Sequence, residues 1–443
     1  MKKLRYVYAA SAALLLVSGN AFSQDLRMGF FLDNYLYGYR MNPASQSEVS
    51  NTFFGLLIND VAIGASSDIG LSNLLFPTDG RLVTGFNSSI SADKFISGLK
   101  VSNKLTTDLN ENIFALGHRT SSGKGFWTIE ANLKSYSAAS APMSMFEYLK
   151  VGASDNIYRM NDINLNSKNY GELAIGYSHR FTDKLKIGVT AKGILGLGYA
   201  DMSIARLAIN TKKYPAVATG IGTFTGALPP ADFGVTPDGC IDFRNVNRGS
   251  LGISGIGGAL DLGIEYELIE GLKLSAAVLD LGAIAWKKTV EGTMGEHSFN
   301  VLENADLSDN LADMLRFSSD PTGGILIDML NTQINFGAKY ILPFAEKVSL
   351  GALYTFRLGD KISQYIDFRT GATYTPGKAF SVSGTVGVNT YGTTVGAAFT
   401  VNAGPVNLFA GIDGIFVNVT PQFVPINSLN TVAKAGLSFM IGR

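Results

Sequence analysis

Residues 379–404 read AFSVSGTVGVNTYGTTVGAAFTVNAG. Phe380, Val382, Val386 and Val388 alternate with Ser381, Ser383, Thr385, Gly387 and Asn389. After a turn at Asn389-Thr390-Tyr391-Gly392 the alternation resumes, with Thr393, Val395, Ala397, Phe399 and Val401 on the apolar side. Successive side chains of a strand point to opposite faces. The stretch is therefore a hairpin with one aliphatic face and one face of glycine, serine, threonine and asparagine. A soluble sandwich and a membrane barrel both show this period of two. Segment length, segment number and what precedes the segments separate them.

The pattern recurs from residue 170 onward. Leu173, Ile175, Tyr177 and Phe181 oppose Glu172, Ser178 and Arg180, and Leu185, Ile187, Val189 and Ala191 oppose Lys186, Thr190 and Lys192. Leu260, Leu262, Ile264, Tyr266 and Leu268 oppose Asp261, Glu265 and Glu267; Leu272, Leu274, Ala276 and Val278 oppose Lys273 and Ser275. Ile334 to Leu342 and Val348 to Leu358 repeat it, with Lys339 and Arg357 on the polar face. Soluble strands average about five or six residues. A tilted membrane strand needs about ten. Lysine and glutamate at mid-strand are refused by a dry sandwich core, whereas a barrel lumen accepts them. The expected fold is all-β, a transmembrane antiparallel β-barrel of about 14 strands, with 12 to 16 allowed because residues 80–120 are ambiguous.

Composition agrees. Only 16% of the 443 residues are charged, against roughly 25% in ordinary soluble domains. Zero formal net charge and a pI near 6.8 leave no basic footprint for nucleic acid. The single Cys240 excludes an internal disulfide framework and thiolate metal clusters. His118, His179 and His297 are scattered, with His179 on the lipid-facing register beside Tyr177 and Phe181. No P-loop, dinucleotide fingerprint or metal-spaced carboxylates occur. Neither catalysis nor a cofactor or metal is expected.

The N-terminus sets the compartment. Lys2, Lys3 and Arg5 precede an apolar run from Val7 to Val17, and Ala21-Phe22-Ser23 offers a cleavage site that leaves Gln24 first. The run is short of the roughly 20 residues a spanning helix needs. Residues 1–23 are therefore expected to be a cleavable signal peptide. No later apolar run reaches that length, so a membrane crossing would be made by strands. The expected location is the outer membrane, in contact with its lipid.

Several segments lie outside the strand pattern. Residues 66–104 and 138–168 read as loops with short helical patterns, clearest from Met143 to Val151. Residues 211–250, rich in Gly, Pro and Asp, and 287–330, with a helix expected around Leu311 to Phe317, read as long outward loops. Short turns in barrels are periplasmic, which assigns Thr182-Asp183-Lys184, Glu270-Gly271 and Pro343 to Lys347 to that side.

Three stretches carry a family resemblance. They are Asn42-Pro43-Ala44; Tyr170-Gly171-Glu172 through Gly176-Tyr177-Ser178 to Lys184-Leu185-x-x-Gly188 and Lys192-Gly193-Ile194-Leu195-Gly196; and Asp280 to Trp286. Together they resemble an outer-membrane barrel group that includes FadL-type transporters and PorP/SprF-like proteins, nearest to an uncharacterised branch. The resemblance implies a hatch, here residues 24–50, folded into a barrel over 51–443. In FadL-type members hatch and wall form a pocket that passes apolar molecules. In PorP/SprF-like members the barrel serves a secretion or gliding apparatus. A small apolar ligand follows from the first branch, a cell-surface protein partner from the second. The chain departs from the usual terminal aromatic by closing on Phe439-Met440-Ile441-Gly442-Arg443.

Two sets of residues are candidates for function. Asn42, Pro43 and Ala44 form a hatch motif in which Asn before Pro gives a rigid extended-to-turn step; the plain alternative is a turn that ties down the N-terminus. Glu172, Arg180, Lys186, Lys192, Asp261, Glu265, Glu267, Lys273, Lys339 and Arg357 face the lumen. They either select a charged solute or neutralise one another, since an unpaired buried charge is costly. Trp127, Tyr177, Tyr266, Trp286, Tyr340, Tyr354 and Phe356 are expected in interfacial girdles. Leu279, Ile341 and Leu353 are apolar exceptions on the lumen side.

Overall fold

The alternation closes on itself. The computed structural model describes residues 27–152, 154–228, 232–247, 252–299, 314–320, 323–359, 362–415 and 429–442. In it, 14 antiparallel strands form a closed barrel. In chain order they are β1 Thr52–Ser67, β2 Ser102–Arg119, β3 Gly125–Pro142, β4 Ile157–Arg180, β5 Leu185–Asn210, β6 Gly255–Ile269, β7 Leu272–Lys288, β8 Gln333–Leu342, β9 Ala345–Arg357, β10 Tyr365–Gly377, β11 Phe380–Asn389, β12 Gly392–Ala403, β13 Val406–Ile415 and β14 Leu429–Ile441. Each pairs with the next, and β1 closes the ring on β14. The expected leader, 1–23, and the first residues of the expected hatch, 24–26, lie outside the described residues.

The register is the one read from residues 379–404. On β11, Val382, Val386 and Val388 are 37–58% exposed, while Ser381, Ser383 and Thr385 are at most 3% exposed. Leu173, Ile175, Leu260, Leu262, Leu350 and Phe368 extend the outward apolar surface around the barrel. A continuous apolar surface of this kind is unsuited to water and is what hydrocarbon requires of a barrel. Trp127, Tyr266 and Tyr354 are exposed on it. Trp286 is not. It is fully buried, stacked on Tyr199 at 5.3 Å, in room left by Gly196. It belongs to the interior, and the girdle expectation for it is corrected.

The connections fall into two kinds. The turns at 120–124, 181–184, 270–271, 343–344, 378–379 and 404–405 share one end with the seam where Asn51 N–H donates to the Gly442 carbonyl (2.8 Å). The three turns expected to be short lie at this end. The other end carries the long excursions.

Strand content there exceeds expectation. β4 and β5 run for 24 and 26 residues, well beyond the roughly ten that span a bilayer. Residues 157–168, expected as loop, are strand, and only Met143–Val151 is helical, as read. Ala216–Ala227 pairs with the end of β5, then Val290–Phe299 with Ala216–Ala227. The described residues of segments 211–250 and 287–330 are thus largely sheet. Their alternation of small and β-branched residues outweighs their glycine content. Tyr158, Ile163, Ile204, Leu207, Phe224, Met314 and Phe317 form a core inside this extension. The helix expected around Leu311 to Phe317 lies partly outside the described residues. The ambiguous 80–120 resolves into a small hairpin edge at Arg81–Thr84, a short helix at Ala92–Ile96 and β2.

Candidate functional site: the plugged lumen

Residues 27–50 add no strand to the sheet; they lie inside it, mostly buried. Asn42, Pro43 and Ala44 make a turn that satisfies itself. The Ser45 N–H donates to the Asn42 carbonyl (2.8 Å), and the Ala44 N–H donates to Asn42 Oδ1 (3.0 Å). Proline at the second turn position and asparagine at the first are the residues such a turn favours. The turn is then tied to the wall: Asn42 Nδ2 donates to the Ile264 carbonyl (3.0 Å), and Asn335 Nδ2 donates to the Met41 carbonyl (2.9 Å).

The segment before the turn is anchored by charge. The backbone N–H groups of Arg27 and Met28 both donate to Asp413 Oδ2, at 2.6 and 3.4 Å. Lys339 Nζ reaches both the Phe31 carbonyl and Asp33 at 2.5 Å. Arg40 binds Asp60 (2.5 Å), Glu130 (2.8 Å) and Asn132 Oδ1 (2.8 Å), with Lys434 also on Asp60 at 2.9 Å. Between these polar ties sits an aromatic cluster. Tyr35 packs on Phe409 (5.0 Å), Tyr37 on Phe53 (5.6 Å) and Phe53 on Phe126 (6.2 Å). Burial raises the Tyr35 and Tyr37 phenols above their ordinary value, which keeps them neutral in this setting.

The ten predicted lumen charges do not converge on one site. Glu172, Lys192 and Asp261 join Lys134 and Asp280 in one group: Lys192 to Asp280 2.5 Å, Lys192 to Asp261 2.7 Å, Lys134 to Glu172 2.9 Å. Lys186 pairs with Glu265 (3.1 Å) and Glu48 (3.5 Å). Arg180 stands opposite Lys186 in the ladder. Lys273 stands opposite Glu267 on one side and Lys339 on the other, and Glu267 Oε1 accepts from the Gly271 N–H (3.1 Å). Arg357 lies 3.6 Å from Asp108 and over the Tyr136 ring. The group around Lys134, Glu172, Lys192, Asp261 and Asp280 pairs its charges closely, as buried charges require, whereas Arg180 faces a like charge and Lys273 one of each sign. Leu353 packs with Phe31 and Met41, and Leu279 is buried. Ile341 shares the strand parity of Asn335 and Lys339 and is 38% exposed at the short-turn end.

With this geometry in place, comparison with known proteins adds a family. The model of a family of unknown function, DUF5723, matches residues 43–413. The chain belongs to that family. No curated protein matches the sequence. Among solved structures, this family member is similar to the toluene transporter TbuX of Ralstonia pickettii, at 9% identity and TM-score 0.42 over 90% of each chain. The Pseudomonas putida toluene transporter TodX gives 11% and 0.43 over 93% of this chain and 94% of that one. A Pseudomonas aeruginosa FadL homologue gives 10% and 0.42 over 92% and 93%. Likeness at this level says nothing about what the present family member carries. The PorP/SprF-like side of the expected resemblance is untested by these matches.

Several residues of the lumen escaped the sequence reading. Asp367, Arg369 and Asp413 form a buried triad, with Arg369 3.3 Å from Asp367 and 3.2 Å from Asp413. Strand parity could have found two of them: Tyr365, Asp367, Arg369 and Thr373 share the inward face of β10. Asp60 had no such signal. Leu57 adopts a left-handed φ of 63°, and the β1 register shifts between Leu56 and Asp60. That bulge turns Asn59 and Asp60 both inward.

Proposed function

We propose that this protein is an outer-membrane barrel, exported by its leader, that passes a small apolar molecule through a lumen gated by residues 27–50. One observation carries the reading: the room inside the wall is taken by a segment that is not woven into the sheet. Eight-stranded barrels fill with their own side chains, whereas wider ones conduct or hold a plug. Withdrawing residues 27–50 would break side-chain contacts and leave the ladder of the wall intact. Such a withdrawal would expose Phe53, Phe126, Leu353 and Phe409, all nearly or fully buried now. That lining favours an apolar passenger. The space between Tyr39, Pro43, Phe126 and Thr128 has no room for a water molecule, which supports a plug that fills this part of the lumen. An apolar depression of about 660 Å³ at Leu173, Gly193, Gly258, Leu260 and Leu281 opens on the outer wall, not on the lumen.

The test is deletion of residues 27–50 behind the intact leader, with entry of a small apolar dye measured in whole cells. Entry should rise severalfold over cells making the full chain. Entry equal to that of cells lacking the protein would refute the gate.

A second reading has its own observation. The upper halves of β4 and β5, with Ala216–Ala227 and Val290–Phe299, build a cored sheet beyond the membrane band. Such a platform suits a docking barrel with a protein partner at the cell surface. A partner that copurifies with the full chain and is lost when residues 211–216 are trimmed would favour docking over transport.

A further inference from the structure

Two wall glycines face each other at the height of the Asn42-Pro43-Ala44 turn. Gly188 and Gly263 are direct partners in the β5–β6 ladder, and both are buried. A Cβ on Gly188 would stand 2.1 Å from the Pro43 carbonyl oxygen and 2.5 Å from the Ala44 nitrogen. A Cβ on Gly263 would stand 2.0 Å from Asn42 Oδ1 and 2.9 Å from the Ala44 nitrogen. Neither glycine has a left-handed φ, so room, not torsional freedom, is what glycine supplies here.

Other glycines under the plug meet softer neighbours. Gly337 lies beneath the Phe30 ring and Gly351 beneath the Phe31 ring, while Gly396 meets Met28 Sδ and, at the same 2.9 Å, the Ile412 carbonyl oxygen of the wall. A ring or a thioether can rotate aside. A carbonyl held in a proline turn cannot, because the ring fixes φ and Asn42 closes the turn. The far end of the plug is held through side chains that can turn aside: residues 27–33 meet the Asp413 carboxylate, Lys339, the Asp33 contact with Thr375 (2.7 Å) and the packing of Phe31 on Leu353.

We infer that Gly188 and Gly263 position the plug: they form a notch that fixes the Asn42–Ala44 turn as a pivot, while residues 27–33 form the end that lets go. The inference deepens the gated-lumen reading and rests on it.

The test uses the full chain with Cys240→Ser and one reporter, Ser45→Cys at the pivot or Leu32→Cys at the free end, in detergent and in vesicles. With the natural wall, a maleimide should label the free end faster than the pivot. Gly263→Ala or Gly188→Ala should speed labelling at the pivot on the order of tenfold, whereas Gly351→Ala should not. Heat-modifiable migration confirms in each case that the barrel is intact. Unchanged pivot labelling in an intact Gly263→Ala barrel, or equal acceleration by Gly351→Ala, would overturn the notch. Should the glycine variants fail to fold, Asn42→Ala breaks the turn from the plug side, and the same outcomes decide. Dye entry into the same vesicles separates the two claims. Faster pivot labelling without entry upholds the notch and refutes the gate. Entry without faster pivot labelling refutes the notch.

Discussion

Arg40 is the residue on which the plug's charge balance turns. It sits between Asp60 and Glu130, and Lys434 supplies the second cation, so two bases meet two acids in a site closed to water. Removing one member of a buried pair leaves the others uncompensated, at a cost of about 3–5 kcal/mol. Arg40→Met should fall near the low end, about 3 kcal/mol, because Asp60 keeps Lys434. Urea unfolding in micelles measures this; no change would mean the pairing contributes nothing. Glu48 makes the acid-sensitive contact. Burial alone would raise its carboxyl, but Lys186, Lys273 and Arg180 more than offset that and hold it below its ordinary value of 4.5. A carboxyl lowered in the folded state stabilises above that ordinary value and loses its contribution as pH falls through the lowered one. Loosening of residues 42–50 is therefore expected only below pH 4.5. Hydrogen exchange of that segment, corrected for intrinsic rate, should show it in the natural chain and lose it in Glu48→Gln. At this scale the sequence was half legible. Lys192, Asp261 and Lys134 could be read from strand parity, but Asp280 could not, because it enters the lumen from a left-handed position (φ 56°) that breaks parity.

A strand's two faces obey different solvents. Val386 lies midway along β11 and points outward, while Thr385 beside it is buried. Val386→Lys should cost about 2–4 kcal/mol at the bilayer midplane, measured by reversible unfolding in thin-bilayer vesicles. The same lysine at the outward Val401, near the strand end, should cost about 0–1 kcal/mol. Equal costs would contradict the membrane placement. Elements were legible where alternation ran unbroken, as in residues 379–404, and where a helix stood alone, as at Met143–Val151. They were not legible where composition spoke against pattern. Ala216–Ala227 carries Ala216, Ala218, Gly220, Gly222 and Gly226 on its inner positions and reads as loop, yet β5 offers it a long unpaired edge to complete. Trp286 misled in the opposite sense, since nothing in its own strand announces the room that Gly196 and Gly255 leave for it.

At the scale of the whole molecule, the closed wall is determined by a pattern that any one hairpin displays, and the plug by contacts that no local pattern displays. The wall's polar face is small because it is a mould. Glycines at 188, 263, 337, 351 and 396 each leave space that residues 28–44 occupy. The sequence shows those glycines but not what fills the space they leave. The most direct test of a gated lumen is to tie the plug down and release it. Asp33 Oδ2 lies 2.7 Å from Thr375 Oγ1, so Asp33→Cys with Thr375→Cys, in a Cys240→Ser background, places a reducible tether across the free end. Flux of a small apolar dye through the reconstituted protein is measured before and after reduction. Flux at the empty-vesicle level when oxidised, rising on reduction, is the predicted result; equal flux in the two states would contradict the account.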